Sequence, residues 1–175
     1  RVITANQREA VIEQGVEIGS RGADGMTPLC TAAAKGFHGV AVELIRAGAD
    51  VDARCANGLT PLHHAVGVDQ AALVLLLVEA GANPTLFDRE GRTALTRAAF
   101  HGSERAVEAL LDMGVDPNLP GRDYFTAVYW AVFRKNKPLV ELLMSFGADP
   151  GAMSVDIFPD PLAFAPREPA RRARS

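Results

Sequence analysis

Two cysteines, Cys30 and Cys55, and four histidines, His38, His63, His64 and His101, are the residues of this chain that could ligate a metal or act as nucleophile and base. Their spacing argues against both. Neither cysteine belongs to a Cys-x-x-Cys pair or a metal-spaced cluster, and free thiols in a reducing compartment are expected. His63 and His64 are sequence neighbours. On a helix they point in different directions, so they do not converge with His101 on one ion. Asp50, Asp116 and Asp149 recur at one loop position in successive units. Stacked units lie about 10 Å apart, and glycosidic chemistry needs two carboxylates roughly 5–9.5 Å apart at one bond. No nucleophile motif or glycine-rich phosphate loop follows a strand-like run. The expectation is no enzyme activity, no metal and no cofactor.

What would position these side chains is a repeat. Gly25-Met26-Thr27-Pro28-Leu29 returns as Gly58-Leu59-Thr60-Pro61-Leu62, then as Gly91-Arg92-Thr93-Ala94-Leu95, and in worn form as Tyr124-Phe125-Thr126-Ala127-Val128. A second landmark keeps the same 33-residue step: Gly48-Ala49-Asp50, Gly81-Ala82-Asn83, Gly114-Val115-Asp116 and Gly147-Ala148-Asp149. A constant short period means stacked units rather than a closed globule with a pocket.

One unit, residues 25–57, reads as two helices and a loop. Thr27 is a helix N-cap, and Pro28 fits the next position because its missing N–H is not needed there. Leu29, Ala32 and Ala33 give a narrow apolar stripe, and Gly36 ends that helix. Val40, Ala41, Leu44 and Ile45 give the stripe of a second helix, ended by Gly48. The other units carry equivalent stripes: Leu62, Ala65, Leu73, Val74 and Leu77; Leu95, Ala98, Ala99, Ala106, Val107, Leu110 and Leu111; Val128, Ala131, Leu139, Val140 and Leu143. A single pair cannot hide these faces, so neighbours must stack.

Thr27-Pro28-Leu29, Thr60-Pro61-Leu62-His63, the paired branched residues and the terminal Gly-Ala-Asp resemble the ankyrin repeat family over about residues 8–153. The resemblance implies an all-α solenoid of stacked helix-turn-helix repeats with projecting β-turn fingers and a concave side. It implies a partial repeat at about 6–24, full repeats at 25–57, 58–90, 91–123 and 124–153, and an irregular cap at 154–166, so that 1–166 is one domain. Only His63 occupies the family's histidine, whose role is to tie the finger loop to the helix start. Cys30, Thr96 and Tyr129 replace it elsewhere, which implies looser fingers. Asn118 resembles the loop asparagine hydroxylated in some members, although asparagine is also ordinary turn chemistry there.

The resemblance also places the first helix of each repeat on the concave side. The position two after the repeat's leucine reads Thr31, His64, Arg97 and Trp130; further along come Ala34, Gly67, Phe100 and Phe133, then Lys35, Val68, His101 and Arg134. The fingers of repeats three and four add Arg89, Arg92, Arg122 and Phe125. Aromatic residues with arginine are the usual makeup of an interface hot spot. The candidate partner-binding set is therefore Arg89, Arg92, Arg97, Phe100, Arg122, Phe125, Trp130, Phe133 and Arg134, receiving another protein or peptide segment. The competing reading of Trp130 and Phe133 is packing under Phe158 or Phe164.

The bulk properties fit this reading. The chain has 175 residues, 48% of them apolar, and a net charge of -3. Residues 167–175 carry +3, leaving -6 on the remainder, so nucleic acid is not the expected partner. Those last residues read as a disordered basic tail. No apolar run approaches the roughly 18–20 residues of a membrane span. A cytoplasmic or nuclear place is expected. The alternatives are a regulatory or inhibitory repeat domain of a larger enzyme or effector, and self-association through the C-terminal aromatics.

Overall fold

A threonine opens each first helix, in the extended conformation an N-cap requires. Thr27, Thr60, Thr93 and Thr126 each accept, through the side-chain oxygen, the backbone N–H three residues ahead. The computed structural model describes residues 18–55 and 57–152. These threonines start α1 (Pro28–Lys35), α3 (Pro61–Gly67), α5 (Ala94–His101) and α7 (Ala127–Phe133). A short turn leads each into a partner: α2 (His38–Arg46), α4 (Ala71–Glu79), α6 (Glu104–Asp112) and α8 (Lys137–Ser145). A 3-10 turn at Pro150–Ala152 follows.

The turn inside each pair needs a left-handed residue. Gly36 (φ 71°) and Gly102 (φ 75°) supply it cheaply. Asp69 (φ 54°) and Lys135 (φ 56°) stand at the same register without that freedom. Asp69 has a compensation, because its carboxylate accepts the Ala106 N–H at 2.9 Å and so braces the next repeat.

Helices pack in two layers. First helices contact first helices (α1 on α3, α3 on α5, α5 on α7), and second helices follow in step (α2 on α4, α4 on α6, α6 on α8). Alanines make the close approach possible: Ala33, Ala65, Ala98, Ala99 and Ala131 are fully buried in a single continuous core with Leu62, Leu77, Leu95, Leu110 and Leu143. Val40 departs from the expected stripe. It is half exposed beside exposed Phe37, on the side of α2 that faces away from α4 and the rest of the stack. Residues 6–17 of the expected partial repeat, the C-terminal cap and the basic tail lie outside the described residues.

Each finger is a tight turn closed by backbone bonds. Examples are Asp88 N–H to Arg92 O at 2.9 Å and Gly121 N–H to Phe125 O at 2.9 Å. Fingers are also tied to one another along the stack. The Arg21 guanidinium donates to Arg54 O at 2.5 Å, and that of Arg54 donates to Phe87 O at 2.6 Å, each across 33 residues. The Arg122 N–H donates to Gly91 O at 2.8 Å. At Gly58 glycine is needed twice over. Its φ is 74°, and an added Cβ would stand 2.5 Å from Cγ of Arg89, whose stem lies across it.

The loop aspartates do turn work. Asp50, Asp116 and Asp149 each accept the N–H two residues on, at 3.0, 2.9 and 2.7 Å. Asn118 reaches further: its oxygen accepts the Asp149 N–H at 2.7 Å and its amide donates to Gly147 O at 3.3 Å.

One expectation is overturned here. Cys30 and Cys55 are not free thiols; they form a disulfide, with Cα atoms 7.0 Å apart. Their separation of 25 residues made them look unrelated. The chain leaves α2, turns at Ala53, and brings finger two back over the start of α1, so the two positions meet between repeats one and two.

Candidate protein-interaction face

The aromatic side chains of repeats three and four form one connected group. The Trp130 ring meets Phe100 edge to face with centroids 5.1 Å apart, Tyr129 at 5.2 Å, Phe125 at 5.7 Å and Phe133 at 5.8 Å. Phe125 and Tyr129 stack at 4.0 Å, and Tyr129 and Phe133 lie nearly parallel at 6.2 Å. Such offset and T-shaped contacts suit the ring quadrupole. The reason is register. Phe125, Tyr129 and Phe133 are four residues apart, so the turn before α7 and the helix itself line them along one side. Phe100 enters from α5, one repeat away.

Arginines clasp this group. The Arg92 guanidinium lies over Phe100 at 3.8 Å and near Trp130 at 5.2 Å, and that of Arg134 lies over Phe100 at 5.5 Å. Arg122 lies over Phe87 at 5.1 Å. Arg92 is ion-paired with Glu90. Among the described residues, Arg89, Arg122 and Arg134 have no carboxylate at ion-pair distance. The electropositive surroundings register at His101. It is held below the usual imidazole range by partial burial first, then by the charges of Arg97, Arg92 and Arg134.

The candidate residues thus separate. Phe100, Phe125, Trp130, Phe133, Arg92 and Arg134 come together. Arg89 and Arg122 flank them from the fingers, exposed. Arg97 is engaged elsewhere: its guanidinium donates to the buried carboxylate of Asp88 at 3.0 Å. The other Asp88 oxygen accepts the N–H groups of Glu90 and Arg92, both at 2.9 Å, so Arg97 acts as a brace for finger three.

Exposure divides the aromatics again. Phe133 is 56% exposed and Tyr124, at the tip of finger four, 67%. Trp130 is half-buried against the core, and its indole N–H is buried without an acceptor. Phe158 and Phe164, the residues expected to compete for Trp130, lie outside the described residues. Sequence reasoning passed over Tyr129 and Tyr124. Tyr129 was assigned to the family's histidine position, yet its four-residue spacing from Phe125 and Phe133 was a readable signal. Burial and then Asp123 raise its phenol above the ordinary value.

The family's histidine role is visible at His63. Its Nδ1 faces the Thr60 N–H at 3.3 Å and its Nε2 faces Arg92 O at 3.2 Å. A backbone N–H can only donate and a carbonyl can only accept, so the proton sits on Nε2. The ring therefore joins the start of α3 to the finger of the following repeat. Burial, the largest influence, lowers its pKa. Thr96 takes the same place in repeat three, accepting the Thr93 N–H at 2.9 Å, so that helix start is capped as fully.

Helix pairs stacked in register, with turn fingers projecting on one side, define a repeat solenoid. A family model described as ankyrin repeats (3 copies) matches residues 5–88 and again 84–154, and the chain belongs to the ankyrin repeat family. No curated protein matches the chain. Ankyrin repeats are generally protein–protein interaction modules, and the family is typically non-catalytic. Among the described residues no helix is long and apolar enough to cross a membrane.

Proposed function

We propose that this chain captures a segment of another protein on repeats three and four, through the Phe100–Phe125–Trp130–Phe133 group and the arginines around it. The observation that carries this is the continuity of exposed Phe133 with a ring cluster bounded by Arg89, Arg122 and Arg134, which have no acidic partner of their own among the described residues. A central aromatic anchor with a charged rim is the usual anatomy of a protein interface. The guanidiniums favour a partner segment carrying Asp or Glu beside an apolar side chain. Tyr124 adds to the case. The other three fingers use glycine at its left-handed position, and this one holds a tyrosine at φ 64° with its ring in solvent.

The test is recovery of partners from a lysate by wild type and by the Trp130→Ala/Phe133→Ala variant, with helical content followed by circular dichroism. Partner recovery should fall at least about tenfold, equivalent to about 1.4 kcal/mol. Equal recovery by a folded variant sinks the reading. If the double variant unfolds, Phe133→Ser/Arg134→Glu, which changes only exposed side chains, decides in its place.

A further inference from the structure

We propose that Cys30, Cys55 and His64 form a metal site in the reduced protein, taking one thiophilic divalent ion of the Zn2+ class. Each residue offers one donor atom, and the three donors lie within 4.8 Å of one another. Cys30 and Cys55 are 0% and 4% exposed. His64 Nε2 is buried with no hydrogen-bond partner, a condition that asks for a ligand or a water. Cys30 lies 25 residues before Cys55 and a full repeat before His64; the solenoid brings it to them. Cys30 and His63 are equivalent positions one repeat apart, so α3 stacked on α1 brings the next residue, His64, beside Cys30. Finger two then supplies Cys55.

The donor set selects the ion. Two thiolates and an imidazole suit soft or borderline ions and exclude Mg2+ and Ca2+, which want oxygen. Two thiolates also neutralise a divalent cation, which a site this buried requires. Zn2+ bound by three protein ligands keeps a fourth position for water or an outside donor. The disulfide and the metal site exclude each other, because the same sulfurs serve both. Reduction adds two electrons and two protons and gives two thiols. Binding then releases both thiol protons as two Zn–S bonds and one Zn–N bond form. The reductant in the test is a phosphine, which supplies the two electrons, takes its oxygen from water and leaves as its oxide, the same water supplying the two protons.

The experiment is anaerobic titration of the phosphine-reduced full chain with Zn2+, and with Co2+ as a coloured substitute. Expected are one ion per chain, two protons released per Zn2+, a thiolate-to-cobalt charge-transfer band, and a higher melting temperature. Cys30→Ser, Cys55→Ser and His64→Phe should each remove the one-to-one binding while circular dichroism keeps its helical shape. The oxidised protein should bind nothing until reduced. The proposal is overturned if the reduced wild type takes up no stoichiometric ion. It is equally overturned if His64→Phe binds as wild type does. Should a serine variant unfold, His64→Phe and proton release on the wild type still decide.

Discussion

At the scale of single residues, Tyr124 puts a surface aromatic on a demanding backbone position. Tyr124 holds φ 64°, the conformation that Gly25, Gly58 and Gly91 hold in the other fingers. A non-glycine residue there is disfavoured by about 1–2 kcal/mol. Glycine regains that and loses part of it to the entropy of the unfolded chain. Tyr124→Gly is therefore expected to raise stability in urea by about 0.5–1 kcal/mol. If Tyr124 is part of the interface, the same change weakens partner recovery, so stability and binding move in opposite directions. A variant more stable and equal in binding would remove Tyr124 from the interface. Arg97 shows the reverse case, a charged residue that reads as surface chemistry in sequence and is spent on Asp88 inside the finger. Burial of a carboxylate in the finger that precedes the helix leaves no trace in a linear pattern.

At the scale of elements, the repeat makes one residue's work comparable with its neighbour's. His63 caps α3 and also reaches the Arg92 carbonyl of the next finger. Thr96, one period on, makes the cap alone, through its bonds to Thr93. His63→Ala should lose both roles and leave a cavity, a loss of about 2–3 kcal/mol. His63→Thr should recover about 1 kcal/mol of it by restoring the cap. Equal losses would show that the bond to Arg92 and the buried ring carry the whole effect. Helices, caps and turns were legible because they depend on local rules that threonine, proline and glycine state openly at fixed spacing. The aromatic group was legible in part: Phe100, Phe125, Trp130 and Phe133 could be named from register. The disulfide and its neighbour His64 could not, because a finger folding back across a repeat boundary is a three-dimensional event.

At the scale of the molecule, the continuous core runs along the stack, so each unit touches only its neighbours' share of it. Leu77 in repeat two and Leu143 in repeat four are both fully buried, and truncating either to alanine should remove about 2–5 kcal/mol locally. What differs is the number of described neighbours. α4, which carries Leu77, packs between α2 and α6; α8, which carries Leu143, packs against α6 and its own partner α7. Stability in such a chain is a sum of unit terms and nearest-neighbour terms, so loss at an inner unit weakens two interfaces and loss at an outer one weakens a single interface. Native-state hydrogen exchange reads this directly. Leu77→Ala should lower amide protection in α2 and α6 as well as in α4, while Leu143→Ala should lower it in α6, α7 and α8 and leave α2 and α4 as in wild type. A uniform drop over all helices in both variants would mean that the four pairs fold as one cooperative block. The proposed partner face would then be sensitive to any core defect, including one two repeats away, instead of only to those in repeats three and four.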